Sequence, residues 1–231
     1  MTTSVFPARA RSATALSATR LAGLAGLLFV MVVIGQNMIR FAIAPANDAS
    51  VDTIVNHYQQ DRGLFIALGT SFAVGGFALA MFVAGIASRA VSAEERIWAG
   101  VATVGGAAVM VMFAAMVACE FALLVLTDRP TVSEQAVETV FVLHNAVFSA
   151  LTCIIGIALV GVARTAFNAG LLPRSLAIAA PLGAALLSIG TVAGPQIAAG
   201  DFQPLMGVAT LGFVVWLTVM ATASIGLLRT E

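Results

Sequence analysis

The chain carries little charge and no lysine. Charged residues make up 10% of its 231 residues, and all eleven basic residues are arginines. A soluble domain has about 25% charged residues, so the composition argues against a soluble globular protein. Without lysine, a Schiff-base chemistry such as that of retinal proteins is excluded. No basic tract is present, so we expect no nucleic-acid partner.

Motifs of soluble enzymes are also missing. The sequence contains no GxSxG, P-loop, HExxH or dinucleotide-binding pattern. Cys119 and Cys153 form no CxxC pair, which leaves a thioredoxin-like or zinc-binding interpretation without support. We therefore lean towards a protein that is not an enzyme and has no cofactor. A membrane-embedded enzyme using Glu120 and His144 as acid and base ranks third among the alternatives.

What the chain does have is long apolar stretches. Six of them, each 24 to 30 residues long, cover residues 21–44, 64–87, 97–126, 137–163, 176–199 and 204–228. A helix needs about 20 apolar residues to cross a bilayer. The pattern predicts an all-α, polytopic membrane helix bundle in a lipid bilayer. Residues 21–228 would form one six-helix transmembrane domain, with a cytoplasmic N-terminal tail at 1–20 and a C-terminal tail at 229–231.

The arginines predict the orientation of the bundle. Three lie near span ends on one side, namely Arg40, Arg62 and Arg129, and eight on the other, namely Arg9, Arg11, Arg20, Arg89, Arg96, Arg164, Arg174 and Arg229. Positively charged residues concentrate in cytoplasmic loops. Both termini are therefore predicted to be cytoplasmic, as an even number of spans requires.

The first outer loop, residues 45–63, carries a second periodic pattern. Val51, Ile54, Val55 and Tyr58 recur at i, i+3, i+4 and i+7, with polar residues between them. This spacing predicts a short amphipathic helix on the outer membrane surface. It would be either a plain connection between two spans or a lid over a cavity.

Small residues predict where spans pack closely. Gly76, Ala80 and Ala84 form a small-xxx-small row in the second span, and Gly190 and Gly194 form a GxxxG step in the fifth. Such rows let helix backbones approach one another in lipid.

Polar residues within the spans gather at one depth. They are Gln36, Asn37 and Arg40 in the first span, Glu120 in the third, and His144 and Asn145 in the fourth. Because a helix rises about 1.5 Å per residue, all of them fall in the outer half of the membrane. Charges are costly there, so we predict that Arg40 pairs with Glu120 and that His144 lies within reach. Ser149 extends the face of Asn145 inward.

Several functions remain open for this polar set. It could be a structural network, a binding site for a small molecule or a lipid headgroup, or a proton or ion pathway. A copper site built from Met112, Met116, Cys119 and His144 ranks lowest, because methionines on a membrane helix usually serve packing. The leading hypothesis is a non-enzymatic structural, accessory or ligand-binding membrane protein. The alternative is a small-solute or proton-coupled carrier. A membrane protein partner or a lipid ligand is left open.

Two motifs resemble a known family. His144 to Phe148 matches an LH-x-x-x-F helix start, and Gly170 to Leu176 matches a G-x-L-P-R-x-L turn, with Ala177 where a glycine is usual. Arg20 to Leu24 is similar to an R-x-A-G-L opening. Together they resemble a family of uncharacterised bacterial six-pass integral membrane proteins, classed as a domain of unknown function. The resemblance implies six spans and a bacterial inner-membrane location, and it implies no activity.

Overall fold

A computed structural model describes residues 17–198 and 204–230, and these residues contain helices and no strand. The helices are α1 (Ala18–Ile43), α2 (Val51–Gln60), α3 (Arg62–Ala87), α4 (Ala93–Thr127), α5 (Glu134–Asn168), α6 (Arg174–Val192), α7 (Gly194–Ala198) and α8 (Pro204–Arg229). Six of them, all but α2 and α7, are apolar and long enough to cross a membrane. The predicted all-helical chain with six candidate spans is confirmed. Arg9 and Arg11 of the predicted N-terminal tail lie outside the described residues.

The fifth predicted span is shorter than its apolar stretch. The sequence predicted one helix over 176–199, but α6 ends at Val192 and the short α7 follows. Pro195 explains the break, because proline has no N–H to continue the helix and commonly follows a C-cap within two residues. The Ala193 N–H closes the last turn on the Ile189 carbonyl.

Local capping sets the ends of two other spans. The side chain of Ser92 accepts from the Glu95 N–H while Glu95 accepts from the Ser92 N–H, a capping box that starts α4 ahead of its apolar stretch. At the C-terminal end of α5, Gly170 adopts φ 72°, and the Leu171 N–H donates to the Ala166 carbonyl. This is a Schellman ending, which requires the left-handed conformation that glycine favours. The G-x-L-P-R segment is therefore a helix-stop followed by the start of α6.

The six long helices form a ring. Each packs against the next one along the chain, in the order α1, α3, α4, α5, α6 and α8, and α8 closes the ring onto α1. Contacts between α5 and α8 cross its middle. The main core lies inside the ring and includes Trp216, which meets Phe29 edge-on at 5.5 Å.

A second core lies at one end of the ring, under α2. Ile54 and Tyr58 of α2 are buried there with residues of α3, α4 and α5, and Tyr58 stacks on Phe65 at 4.2 Å. We call this the α2 end. The opposite end, called the basic end, carries the arginines Arg20, Arg89, Arg96, Arg164, Arg174 and Arg229.

Glycines allow close helix packing, and the glycines of the two predicted rows take part: an added Cβ on Gly76 would lie 2.2 Å from Met110 Cε, and one on Gly190 would lie 2.9 Å from Thr152 Oγ1. A Cβ on Gly161 of α5 would lie 2.4 Å from the Ala102 nitrogen of α4, and one on Gly105 would lie 2.8 Å from the Ala158 Cα. The small-residue row of the second span was predicted to pack, yet Ala80 and Ala84 are exposed on the outside of α3. Small size alone does not tell a packed face from a lipid-facing one.

The Thr191 hydroxyl of α6 forms hydrogen bonds with two backbone groups of α5. Thr191 Oγ1 donates to the Ser149 carbonyl at 2.8 Å and accepts from the Cys153 N–H at 3.1 Å. These two groups are four residues apart, so they are the pair that an α-helix bonds to each other. The Thr152 hydroxyl lies 3.0 Å from Thr191 Oγ1 and joins the same network.

We expect Thr191→Val to lower the free energy of unfolding by about 1 kcal/mol, since it keeps the side-chain shape and removes the two hydrogen bonds to the α5 backbone. Thermal or denaturant unfolding in one detergent would measure the loss. Thr218→Val is the matched control, because the Thr218 hydroxyl donates only to Val214 of its own helix. Equal losses in the two variants would show that the hydrogen bonds of Thr191 to α5 do not contribute to stability.

Candidate functional site

Three helices bring charged side chains together near the α2 end. Arg40 lies in the last turn of α1, Glu120 lies in α4 about two turns before its end, and His144 lies in α5. The Arg40 guanidinium donates to both carboxylate oxygens of Glu120, with Nη2 3.0 Å from Oε2. The side chain of Glu120 is 1% exposed and that of Arg40 is 19% exposed. A buried pair with this bidentate geometry cancels two charges and keeps them hydrogen-bonded.

His144 completes the cluster from the other side. Its Nε2 lies 3.4 Å from Glu120 Oε1 but makes no hydrogen bond, and its Nδ1 lies 3.3 Å from Asn145 Oδ1. If Nδ1 donated to Asn145, a neutral ring would present its Nε2 lone pair to a carboxylate. Turning the Asn145 amide lets Nδ2 donate to Nδ1, which leaves the Nε2 proton directed at Glu120. That arrangement keeps the ring neutral and gives the most groups a partner.

The face of α5 below His144 holds further unpaired polar atoms. Ser149 Oγ and the amide atom of Asn145 that faces away from His144 are buried without a hydrogen-bond partner, and the two residues are 2% and 5% exposed. Ser149 faces Gly194, where an added Cβ would lie 3.3 Å from the Ser149 Cβ. Buried polar groups are normally satisfied. These atoms are therefore the free hydrogen-bonding groups next to the cluster, whereas Arg40 and Glu120 are already bonded to each other.

Gln36 and Asn37 do not join the cluster. Gln36 Nε2 donates to Ser71 Oγ at 2.6 Å and to the Leu68 carbonyl, so it ties α1 to α3. Asn37 is exposed and donates to the Val33 carbonyl of its own helix at 2.8 Å. The depth of a residue along a helix was readable from the sequence, but its direction around the helix was not.

The methionines of the low-ranked copper hypothesis lie in the hydrophobic core. Met116 belongs to the main core, and Met112 packs against it. Cys119 is a buried free thiol. Among the described residues, no three His, Cys, Asp or Glu side chains come together where they could hold a metal ion.

Residues on and next to α2 cover the cluster, and sequence reasoning did not assign them this role. The carbonyl groups in the last turns of α1 and α4 have no partner within their helices. His57 Nδ1 lies 2.9 Å from the Ile43 carbonyl, Gln59 donates to Thr127, and Arg62 donates to Leu124. The sequence carried no local signal for the bonds of Gln59 and Arg62, because their acceptors lie more than 60 residues further along the chain. These bonds fasten α2 onto the ends of α1 and α4.

Tyr58 is the aromatic anchor of α2. Burial raises the pKa of its hydroxyl above the usual value, and the nearby Arg40 guanidinium opposes this shift. Because the pKa of Tyr58 is higher in the folded protein than in the unfolded one, its protonated hydroxyl stabilises the fold at pH values below the unfolded pKa. That contribution is lost as the pH rises towards the folded pKa.

Because Tyr58 is the only tyrosine, its ionisation can be followed directly by near-ultraviolet absorbance. We expect the folded protein to show no tyrosinate at about pH 11, whereas the unfolded chain titrates with a pKa of about 10. In an alkaline titration, tyrosinate should appear together with loss of helix. Ionisation near pH 10 with the helices intact would show that α2 is not packed as described.

No family model matches the chain, and no curated protein or solved structure is significantly similar to it.

Proposed function

We propose that this multi-pass membrane protein is a non-enzymatic structural or accessory protein, in which Arg40, Glu120 and His144 clamp α1, α4 and α5 together. One observation carries this proposal: Arg40 occupies both oxygens of a carboxylate that is 1% exposed. A catalytic or transporting carboxylate has to offer an oxygen to a substrate or a proton. Here both oxygens already accept hydrogen bonds from Arg40, and the pair joins two helices through residues that are 80 positions apart in the chain.

The proposal includes an orientation. The basic end would face the cytoplasm, which places both termini inside and α2 on the outer surface, as the positive-inside rule favours. The apolar face of α2 would then lie on the bundle rather than in the lipid. Membership of the bacterial six-pass family, and a place in the bacterial inner membrane, rest on the quoted motifs. A membrane-impermeant thiol reagent tests the orientation, since it should label a cysteine placed in α2 and spare one placed at Arg229.

A small-solute or proton-coupled carrier is the second candidate. It is favoured by the unpaired polar groups of Asn145 and Ser149 on α5, which lie inward of His144. A polar ligand could displace the contact between His144 and Glu120. Against this candidate, α5 has no Asp, Glu, His, Lys or Arg between His144 and Arg164.

Reconstitution into liposomes separates the two candidates. For the clamp, we expect wild-type protein to give the same proton flux after a pH jump as protein-free liposomes. Glu120→Gln should lower the unfolding temperature without changing the flux. Glu134→Gln is the control, because Glu134 is exposed outside the cluster. A flux that Glu120→Gln abolishes and Glu134→Gln retains would replace the clamp by the carrier.

A further inference from the structure

A groove opens on the outside of the bundle between α4, α5 and α6. Its volume is about 330 Å³, and its walls include Val101 of α4, Ile157 and Val160 of α5, and Ala185 of α6. Gly156 forms part of the floor, where an added Cβ would lie 3.1 Å from the Ala184 carbonyl. The groove flanks α6, which is the least buried of the six described spans. In its most apolar segment 22% of the residues are buried, compared with 39–56% in the other spans. The groove therefore faces lipid.

Two arginines continue the walls of this groove towards the basic end. Arg164 follows Ile157 by seven residues and Val160 by four, while Arg174 precedes Ala185 by eleven. At 3.6 residues per turn, the four-residue step from Val160 keeps Arg164 on the groove face of α5. The eleven-residue step between Arg174 and Ala185 is about three turns, which returns to the same face of α6 apart from the bend at Pro181. Both arginines are exposed, and among the described residues neither makes an ion pair. Arg164 therefore lies about 6 Å nearer to the basic end than Val160, measured along the helix axis.

An aromatic ring fixes one of these arginines beside the groove. The guanidinium carbon of Arg164 lies 5.6 Å from the centroid of the Trp98 ring. Trp98 precedes Val101 by three residues and so shares its face of α4. Tryptophan is enriched where membrane headgroups meet acyl chains. Charged groups above, an indole at the boundary and an apolar groove below follow the order of the parts of a phospholipid.

We propose that the groove binds one anionic phospholipid, with its phosphate between Arg164 and Arg174 and one acyl chain between α4, α5 and α6. Arginine suits a phosphate because its planar group can donate two parallel hydrogen bonds. The site lies at the basic end, away from the Arg40–Glu120 cluster, and does not depend on the clamp function.

Native mass spectrometry of the delipidated full-length protein would test the proposal, with phosphatidylglycerol and phosphatidylcholine added separately. We expect one molecule of phosphatidylglycerol to bind more tightly than phosphatidylcholine. The double variant Arg164→Gln with Arg174→Gln should lose about 30-fold in affinity for phosphatidylglycerol, as each arginine near a membrane surface contributes about fivefold. Arg96→Gln is the matched control, because Arg96 lies at the same end but off the groove face.

The groove has its own variant. Ala185→Leu fills the groove and should weaken both lipids, whereas Ala80→Leu makes the same change on the lipid-facing side of α3 and should weaken neither. Unfolding temperatures verify that each variant is folded. Equal affinity for the two lipids, or an unchanged affinity in the double arginine variant, would overturn the proposal. Displacement of the lipid by millimolar inorganic phosphate, or a dimer that Ala185→Leu dissociates, would also overturn it.

Discussion

Glu120→Gln should lower the free energy of unfolding by about 3–5 kcal/mol, the usual cost of removing one partner of a buried ion pair. The substitution keeps the shape of the side chain and removes its charge. Arg40, at 19% exposed, then remains a cation without a counter-ion. His144 Nε2 also loses the carboxylate that lies 3.4 Å away. Denaturant unfolding in a single detergent would measure the loss.

A double-variant cycle shows whether the loss belongs to the pair. Arg40→Gln alone should also destabilise, because it leaves Glu120 charged and buried. The two substitutions together should cost less than the sum of the single losses, since the double variant leaves no bare buried charge. Glu134→Gln, on an exposed residue, should change stability by less than about 0.5 kcal/mol. Additive losses would contradict direct pairing.

Gly161→Ala should be the second large effect, with a loss of about 2–3 kcal/mol. The new Cβ would meet the Ala102 nitrogen at 2.4 Å and its Cα at 2.7 Å. These are backbone atoms of α4, so no side chain can rotate away and the two helices must move apart. Gly105 would also be pushed off Ala158, since both glycine contacts lie on the interface between α4 and α5.

Gly100→Ala is the matched control for that substitution. An added Cβ there has no atom within 4 Å, so the change should be neutral or stabilise by up to about 1 kcal/mol through helix propensity. The two variants carry the same chemical change on helices α5 and α4, and only Gly161→Ala should lower the free energy of unfolding. If Gly161→Ala were tolerated as well as Gly100→Ala, then α4 and α5 would not be as close as described. Unfolding in one detergent measures both variants.

Part of the polar cluster followed from the sequence. Arg40, Glu120 and His144 stand out because few ionisable residues occur within apolar stretches, and the rise per residue places them at one depth. A buried carboxylate in lipid needs a cation, and Arg40 was the arginine at its level. The free-energy cost of an unpaired charge within the membrane was therefore enough to predict that Arg40 and Glu120 pair. The unpaired atoms of Asn145 and Ser149 could not be predicted, because they depend on what α6 and α7 place opposite them.

The role of α2 and its neighbours depended on the packing of distant segments. Gln59 and Arg62 look like solvent-facing residues in the sequence, yet they donate to the Thr127 and Leu124 carbonyls of α4. Their acceptors belong to a helix end more than 60 residues away in the chain. No local pattern reports which helix end will lie next to them.

By itself, the sequence determined that the chain is helical with six apolar spans, because runs of more than 20 apolar residues must satisfy their own backbone bonds in lipid. It also determined the depth of each polar residue, since depth depends only on the rise of a helix. The tertiary structure alone decided which way each side chain points. Neighbouring helices turned Gln36 to Ser71, left Asn37 outside, exposed Ala80 and buried Gly161 against Ala102. In a bilayer both faces of a span are apolar, so hydrophobicity cannot distinguish the packed face from the lipid face.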